Sequence, residues 1–336
     1  MRLFSIIVPV YNRPDEVADL LESLARQTDS GFEIVLVEDG STVPCREQAD
    51  AYAPRLSLQY FFKSNEGRSI ARNYGMERAR GDFFVFVDSD CILPEDYVAS
   101  LRLALDRAEA AGEPVECFGG PDDAHESFTP TQKAINFAMT SFLTTGGIRG
   151  GKVSMEKFVP RTFNMGFSRE VYDRVGGFRE MFSEDIDMST RIRLAGFSPR
   201  LLRDVRVFHK RRGDLRKFWR QVHVFGMSRI TLQLLYPGSM KAVHWAPALF
   251  VIGSSALLIA GIWWHWLWIP LALYLLLLLA GGTMQTGSLA TGFRALAASM
   301  VQLWGYGTGF IRAYVWKILL RHGRNEAQEI EMRRGK

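Results

Sequence analysis

The sequence predicts an α/β fold with a mixed, mostly parallel sheet, followed by apolar helices long enough to cross a membrane. Over the first 120 residues, short apolar runs alternate with helix-like segments. That alternation is typical of a parallel sheet with helices on both faces. From Val243 to Leu320 the composition changes, and Leu, Ala, Ile, Trp and Gly dominate. The change divides a water-soluble part from a membrane part.

The predicted strands are short and almost entirely apolar. Phe4 to Val10 reads FSIIVPV, as expected of a strand that is buried on both faces. Further strands are predicted over 32–37, 56–62, 82–87, 161–167 and 203–208. Helices are predicted over 14–27, 68–80 and 184–194. In the first helix, Val17, Leu20, Leu21 and Leu24 recur at helical spacing.

Polar residues follow the ends of the first four strands, where ligands of such sheets bind. They are Tyr11, Asn12, Glu38, Asp39, Asn65, Asp88 and Asp90. No GxGxxG loop follows the first strand, and no GxxxxGK[ST] loop is present in the sequence. Both absences count against a dinucleotide-binding enzyme and a P-loop nucleotidase.

Asp88-Ser89-Asp90 is the strongest chemical signal, because it directly follows the apolar run FFVFV. Two carboxylates at this spacing can share one divalent ion, and oxygen ligands suit Mg²⁺ or Mn²⁺. Such an ion also takes oxygens from a diphosphate and acts as a Lewis acid. The alternative for an isolated Asp-x-Asp is a solvated turn.

Charge and cysteine content narrow the function classes. The net charge is +5, but residues 200–229 carry ten Lys or Arg against Asp204 and Asp214, a local excess of eight positive charges. Such a run beside an apolar segment suits an anionic membrane surface, and its alternative is a solvated basic face. Signatures of nucleic-acid modules are absent, so no nucleic-acid partner is expected. Cys45, Cys91 and Cys117 suggest neither a disulfide framework nor a zinc site.

The membrane part is predicted to contain a helical hairpin over 243–261 and 263–280, each near the ~20 residues that span a bilayer. Four Trp between 263 and 268 fit an interfacial belt. The segment 294–320 is either interfacial or spanning. The apolar run at the N-terminus is too short for a signal peptide, so none is expected. Lys and Arg flank the hairpin and are present in the tail over 321–336. We therefore expect the catalytic domain and the tail to face the cytoplasm in a multi-pass inner membrane protein.

Four blocks of the sequence closely resemble family-2 glycosyltransferases of the GT-A fold. They are SIIVPVYNRPDEVADLLESLARQT, EIVLVEDGST, NEGRSIARNYGMERARGDFFVFVDSD and GGFREMFSEDIDMSTRIRLAGF. The resemblance covers roughly residues 4–210 and places a catalytic domain over 1–236, whose end from about 200 is basic and membrane-proximal. It implies a nucleoside-diphosphate sugar donor, with uridine as the expected base, and a divalent cation.

The resemblance also implies residue roles. Asp39 would contact the nucleotide base, although the family often has two aspartates where this chain has Glu38-Asp39. Arg72 would lie near the base or diphosphate. Pro9, Tyr11 and Asn12 would line the base and ribose pocket. Asp88 and Asp90 would hold the ribose and the metal, with Asp90 the direct ligand. His209 would be a further metal ligand, and the alternative is a histidine at a strand edge that bonds to the backbone.

Glu184-Asp185 would supply the catalytic carboxylates. Inverting transfer needs a base that removes the proton of the acceptor hydroxyl, and a carboxylate at a loop–helix junction can do so. In the resemblance that base is Asp185, with Glu184 orienting the site and Asp187 as the alternative base. Without the resemblance, these acids simply complement the dipole of a helix N-terminus.

Two Gly-rich segments, FGGPDDAHESF and TTGGIRGGK, are predicted to be long loops, either lids over a site or plain connections. The sequence thus predicts a membrane-anchored enzyme that transfers a hexose to a lipid-linked or membrane-proximal glycan. The alternatives are a polyprenyl-phosphate sugar transferase and a non-catalytic scaffold. A scaffold would be expected to lack the metal and base carboxylates, and both are present.

Overall fold

A computed structural model of the protein describes residues 2–123, 128–146, 158–209 and 213–332. The chain forms two compact units. The first combines 1–125 with 158–210, and the second combines 126–157 with 211–332. The basic segment after 210, which the sequence analysis groups with the catalytic domain, thus belongs to the second compact unit.

In the described part of the first unit, seven strands form one sheet in the order β3-β2-β1-β4-β8-β6-β9. A smaller sheet has the order β5-β10-β7. The strands are β1 (Phe4–Val10), β2 (Phe32–Asp39), β3 (Leu58–Lys63), β4 (Phe83–Phe86), β5 (Cys91–Ile92), β6 (Cys117–Gly119), β7 (Asp122–Asp123), β8 (Met165–Ser168), β9 (Arg200–Leu201) and β10 (Val207–His209). Strands β1 to β4 pair in parallel, whereas β8 is antiparallel to β4 and β6. The predicted mixed, mostly parallel sheet is confirmed.

Helices cover both faces of the large sheet. They are α1 (Pro14–Ala25), α2 (Arg46–Tyr52), α3 (Arg68–Arg78), α4 (Tyr97–Ala110), α7 (Arg169–Val175) and α8 (Glu184–Leu194). Side chains alternate across a strand, so Ile6 joins one core with α1 and α4, and Ile7 joins the opposite core with α3 and α8. This burial on both faces explains why β1 is almost entirely apolar.

Two predicted strands are displaced in the structure. The strand predicted over 161–167 begins only at Met165, because Arg161 and Asn164 close a turn through a 2.9 Å backbone hydrogen bond. The strand predicted over 203–208 is β10, Val207–His209. The chain makes a turn just before β10, where the Val205 carbonyl accepts a hydrogen bond from Asn164 Nδ2 at 2.8 Å. Short buried contacts, rather than the apolar pattern, set these bounds.

The described part of the second unit is helical. Its helices are α5 (Pro130–Thr140), α6 (Phe142–Thr145), α9 (Leu215–Leu235), α10 (Ala246–Ala260), α11 (Ile269–Thr286), α12 (Leu289–Ala313) and α13 (Gly323–Met332). Helices α9 and α12 pack closely, because a side chain at Gly226 or Gly309 would collide with the backbone of the other helix. A π-helical turn, Tyr314–Leu319, follows α12.

Two stretches of this unit, Ala242–Ala260 and His265–Thr286, are long and apolar enough to cross a membrane. They lie where the sequence predicts the hairpin, and the second reaches six residues beyond its predicted end. Only 22% and 11% of the apolar windows within them are buried. A core helix of a soluble protein would be mostly buried, so these surfaces fit a lipid environment better.

Candidate active site

The loops after β1 and β2 are joined by Asn12. Its side-chain Oδ1 accepts hydrogen bonds from the backbone N–H groups of Thr42, at 2.8 Å, and Val43, at 2.9 Å. The Asn12 N–H donates to Ser41 Oγ at 2.7 Å. Asn12 has a φ of 53°, a left-handed conformation that Asn tolerates better than most residues. The neighbouring Tyr11 is 51% exposed, so its ring is available to a ligand at this edge.

The two acids that end β2 point in opposite directions. Glu38 is fully buried, and its Oε2 accepts hydrogen bonds from the Cys45 N–H at 2.7 Å and from Tyr60 at 3.1 Å. Burial, reinforced by the Glu38 carboxylate, raises the pKa of both the Cys45 thiol and the Tyr60 hydroxyl. The Glu38 carboxylate therefore makes its hydrogen bonds inside the fold, at a position where the family often has Asp.

Asp39 holds the loop that leads into α3. Its carboxylate pairs with Lys63 Nζ at 2.9 Å and accepts the N–H groups of Glu66, at 3.0 Å, and Gly67, at 2.8 Å. Only 3% of Asp39 is exposed. The structure thus gives Asp39 a role in shaping this loop, and its predicted contact with a nucleotide base stays a prediction.

Arg72 links two carboxylates that are far apart in sequence. Its guanidinium donates to Asp88 Oδ1 at 2.7 Å and to Glu184 Oε1 at 3.0 Å. Arg68 also binds Glu184, at 2.8 Å. Arg72 is 1% exposed, and the Glu184 side chain is 3% exposed. We call these four residues the Arg72 network. Burial works against the charge on Arg68, but Glu184, Asp88 and Asp185 outweigh it and raise its pKa.

Asp185 lies at the start of α8 and outside the Arg72 network. Its Oδ2 is 3.1 Å from Arg161, and its Oδ1 accepts the Ile186 N–H at 2.8 Å. The side chain keeps 17% exposure. Ser183, just before the pair, has a φ of 64°, and such local strain is common at functional sites.

Asp187, the alternative base, is fully buried between two arginines. It pairs with Arg179 at 3.1 Å and with Arg191 at 2.8 Å. A carboxylate enclosed in this way is held by the interior of the fold. The structure therefore favours Asp185 over Asp187 as the acid that a substrate can reach.

The small sheet brings Asp90 and His209 together. Register pairs His209 with Cys91, and His209 Nε2 lies 3.2 Å from Asp90 Oδ1. On the other side, His209 Nδ1 lies 3.9 Å from Asp122 Oδ2. The Phe163 ring stacks on the imidazole at 4.8 Å. We call Asp90, Asp122 and His209 the His209 cluster.

Two residues of this cluster belong to a group of side chains that could hold a divalent ion. Ligand atoms of Asp90, Cys91 and His209 lie within 4.8 Å of one another. Carboxylates and imidazole suit Mn²⁺, and carboxylates suit Mg²⁺. The Cys91 Sγ instead donates to the Phe163 carbonyl at 3.6 Å, and burial raises the pKa of this thiol. Asp88 Oδ1 accepts a hydrogen bond from Arg72, and the predicted role of Asp88 as a metal ligand stays a prediction.

Two residues of the site escaped the sequence analysis. Asp122 falls in a Gly-rich segment predicted to be a loop, and Arg161 falls in a predicted strand. A signal for Asp122 exists, since it follows the short buried run Cys117–Gly119 as Asp88 follows β4. Outside the described residues lie parts of both Gly-rich segments and three residues of the basic run over 200–229, Lys210, Arg211 and Arg212.

Comparison with known proteins identifies the family. The profile of "Glycosyl transferase family 2" matches residues 5–176. This match includes β1 to β8, Arg72, Asp88 and Asp90. The chain belongs to glycosyl transferase family 2.

Curated relatives are similar over part of their length. The chain is 32% identical over 189 residues to the uncharacterized glycosyltransferase EpsJ of Bacillus subtilis, covering 55% of this chain and 52% of that protein. It is 29% identical over 220 residues to validoxylamine A glucosyltransferase of Streptomyces hygroscopicus subsp. jinggangensis, covering 58% and 52%. The chain thus spans about half the length of these relatives.

Solved structures share the fold. A mannosyltransferase, PcManGT from Pyrobaculum calidifontis in complex with GDP-Man and Mn²⁺, aligns with a TM-score of 0.54 at 19% identity, over 96% of this chain and 88% of that one. S. aureus TarS 1-349 in complex with UDP-GlcNAc aligns with a TM-score of 0.51 at 17% identity, over 93% and 91%. At these identities the likeness shows the GT-A fold alone.

Proposed function

We propose that the protein is an inverting glycosyltransferase that moves a sugar from a nucleoside diphosphate to a hydroxyl of a lipid-linked or membrane-proximal glycan. The observation that carries this proposal is the presence, within one unit, of potential metal ligands and a separate carboxylate at a helix start. Asp90 and His209 are the potential ligands, and Asp185 is the carboxylate. Membership of family 2 supports a nucleotide-sugar donor.

The donor would lie at the ends of β1, β2 and β4. Tyr11 offers an exposed ring to the base, and Asn12 and Asp39 fix the two loops beside it. Pro9, in β1, precedes this edge. Asp88 is 32% exposed and is oriented by Arg72, so it can accept a ribose hydroxyl. Uridine is the base to test first, because TarS is similar in fold and its structure contains UDP-GlcNAc.

The leaving group is a nucleoside diphosphate, whose charge must be balanced as the glycosidic bond breaks. Asp90 and His209 would hold a divalent cation, Mg²⁺ or Mn²⁺, with Asp122 supporting His209. When bound, that ion supplies Lewis-acid stabilisation of the departing diphosphate. PcManGT, a structural neighbour, was solved with Mn²⁺.

Asp185 would act as the base. As the acceptor oxygen bonds to the anomeric carbon, the bond from that carbon to the diphosphate breaks and the hydroxyl proton passes to the Asp185 carboxylate. One displacement of this kind inverts the anomeric configuration. Arg161 fixes the orientation of Asp185, and Arg68 and Arg72 hold Glu184 beside it.

The apolar helices support a membrane location. Helices α10 and α11 expose apolar side chains along most of their length, which suits a bilayer-spanning hairpin. Arg216, Lys217 and Arg220 lie in α9, before the first candidate span, and Lys and Arg near membrane ends favour the cytoplasmic side. We therefore place the protein in the inner membrane with its catalytic unit in the cytoplasm. A reporter fused before residue 1, active only in the cytoplasm, tests this side directly.

The test of the reaction uses the full chain in detergent. It is incubated with labelled UDP-sugars and GDP-sugars and an extract of native lipids, and products are identified by mass spectrometry. We expect one donor to label a lipid-extractable glycan, and Asp185→Asn to abolish the labelling. Transfer to no acceptor from any donor, or equal labelling by Asp185→Asn, would contradict the proposal.

A further inference from the structure

The second unit contains a cavity of about 680 Å³ at the end of α12. This volume is in the usual range of small-molecule sites, roughly 300–1,000 Å³. The lining residues come from α9, the end of α12, the π-helical turn and α13. They are Met227, Arg312, Ala313, Val315, Trp316, Lys317 and Glu326.

The cavity carries a positive charge that its own acid does not cancel. Lys317 is 10% exposed, and its Nζ binds Glu326 Oε1 at 2.6 Å and Thr231 Oγ1 at 2.7 Å. Arg312 is exposed and makes no ion pair with any residue that the structure describes. Glu326 thus neutralises Lys317, and the guanidinium of Arg312 is left for an anion.

The backbone at this cavity is unusual. The chain leaves the α-helical path after Ala313 and makes a π-helical turn over Tyr314–Leu319. π-Helical turns are rare and occur frequently at functional sites. Here the wide turn supplies three of the lining side chains, Val315, Trp316 and Lys317.

Two lining residues, and two residues that follow them in the chain, are apolar and exposed. Val315, Trp316, Leu319 and Leu320 are exposed by 41%, 56%, 61% and 54%. Exposed Trp and Leu beside cations are typical of a protein surface at the level of lipid headgroups. Basic pockets beside membrane helices bind phosphate headgroups.

We propose that this cavity binds an anionic phospholipid. Arg312 donates hydrogen bonds to the phosphate oxygens, and the upper acyl chains lie against Met227, Val315 and Trp316. A free phosphate ion is a poorer fit, because four of the seven lining residues are apolar. With only phosphate bound, these four side chains would remain in contact with water. The proposal concerns the second unit only and does not depend on the transfer reaction.

Binding is measured by titrating dioctanoyl phosphatidic acid into the full chain in an uncharged detergent, with calorimetry as the readout. Dioctanoylglycerol, which lacks the phosphate, and inorganic phosphate, which lacks the chains, are titrated in parallel. Arg312→Gln removes the proposed contact, and Arg312→Lys keeps the charge. Arg294→Gln is the matched control, because Arg294 is also exposed on α12 but does not line the cavity.

We expect phosphatidic acid to bind the wild type and the Arg294→Gln variant equally, and Arg312→Gln about tenfold more weakly, as for the loss of one charge-assisted hydrogen bond. Arg312→Lys should recover part of the affinity. Equal binding of inorganic phosphate would indicate a small-anion site, and equal binding of dioctanoylglycerol an apolar one. Either result, or equal losses in Arg312→Gln and Arg294→Gln, overturns the proposal. The wild-type comparison of the three probes decides it even if a variant fails to fold.

Discussion

Two acidic pairs in the first unit, Asp88 with Asp90 and Glu184 with Asp185, divide in the same way. The first member of each pair, Asp88 and Glu184, binds Arg72. The second member of each pair contacts a different residue, His209 for Asp90 and Arg161 for Asp185. One buried guanidinium thus connects the ends of two elements, while Asp90 and Asp185 contact other residues.

The division shows that neighbouring carboxylates need not share a task. An acid held by a buried arginine is fixed in place and charge-balanced, which suits a positioning role. Asp90 sits in a group of potential metal ligands, and Asp185 keeps some contact with solvent. We therefore expect Asp88 and Glu184 to position neighbouring groups, and Asp90 and Asp185 to take part in the reaction.

The largest effect is expected for Asp185→Asn. Turnover should fall about 10²–10⁴-fold, the usual scale of general-base catalysis, because the amide cannot take the proton of the acceptor. Donor binding, measured by calorimetry with UDP, should remain nearly intact. The control is Asp173→Asn, an exposed acid on α7. Poor donor binding with normal turnover of the bound fraction would move the base elsewhere.

Arg72→Met should act on stability instead. The change leaves Glu184 and Asp88 without their shared buried partner, and loss of one partner of a buried ion pair costs about 3–5 kcal/mol. Thermal unfolding of the full chain in detergent measures this loss. Arg174→Met, which breaks an exposed pair with Glu170, is the control and should cost at most about 1 kcal/mol. Similar losses in both variants would mean that Arg72 does not hold the two elements.

A smaller effect is expected for Asp122→Asn. Asp122 Oδ2 lies 3.9 Å from His209 Nδ1, the nitrogen that faces away from Asp90. Asp122 would therefore orient the imidazole rather than bind the ion directly. Loss of such an outer partner typically lowers metal affinity about 10–100-fold. Mn²⁺ titration followed by electron paramagnetic resonance provides the measurement, with the exposed Asp106→Asn as control. Unchanged Mn²⁺ affinity in Asp122→Asn would remove this residue from the site.

The sequence predicted the sheet well, because β1, β2 and β4 are buried on both faces and consist mostly of apolar residues. Short elements were harder. Asn164 and Val205 define the bounds of β8 and β10 through buried hydrogen bonds, which leave no periodic signal. Two apolar helices were also predicted in the right place, because runs of about 20 apolar residues stand out in the sequence.

The candidate site was predicted residue by residue, but its partners were not. The resemblance made Asp90 the direct metal ligand, and the structure adds the partner of each acid, Arg72 for Asp88 and His209 for Asp90. Arg161 reaches Asp185 through a tertiary contact that leaves no local pattern, whereas Asp122 had a weak signal in its place after a short buried strand. The roles that the resemblance implies stay predictions.

The most direct test of this account is Mn²⁺ binding by Asp90→Asn and Asp88→Asn, with no substrate present and electron paramagnetic resonance as the readout. We expect the wild type and Asp88→Asn to bind Mn²⁺ with similar affinity, because Asp88 is engaged by Arg72 at 2.7 Å. Asp90→Asn and His209→Gln should bind Mn²⁺ far more weakly. If Asp88→Asn loses Mn²⁺ as completely as Asp90→Asn does, the proposed division between positioning and reacting acids is wrong.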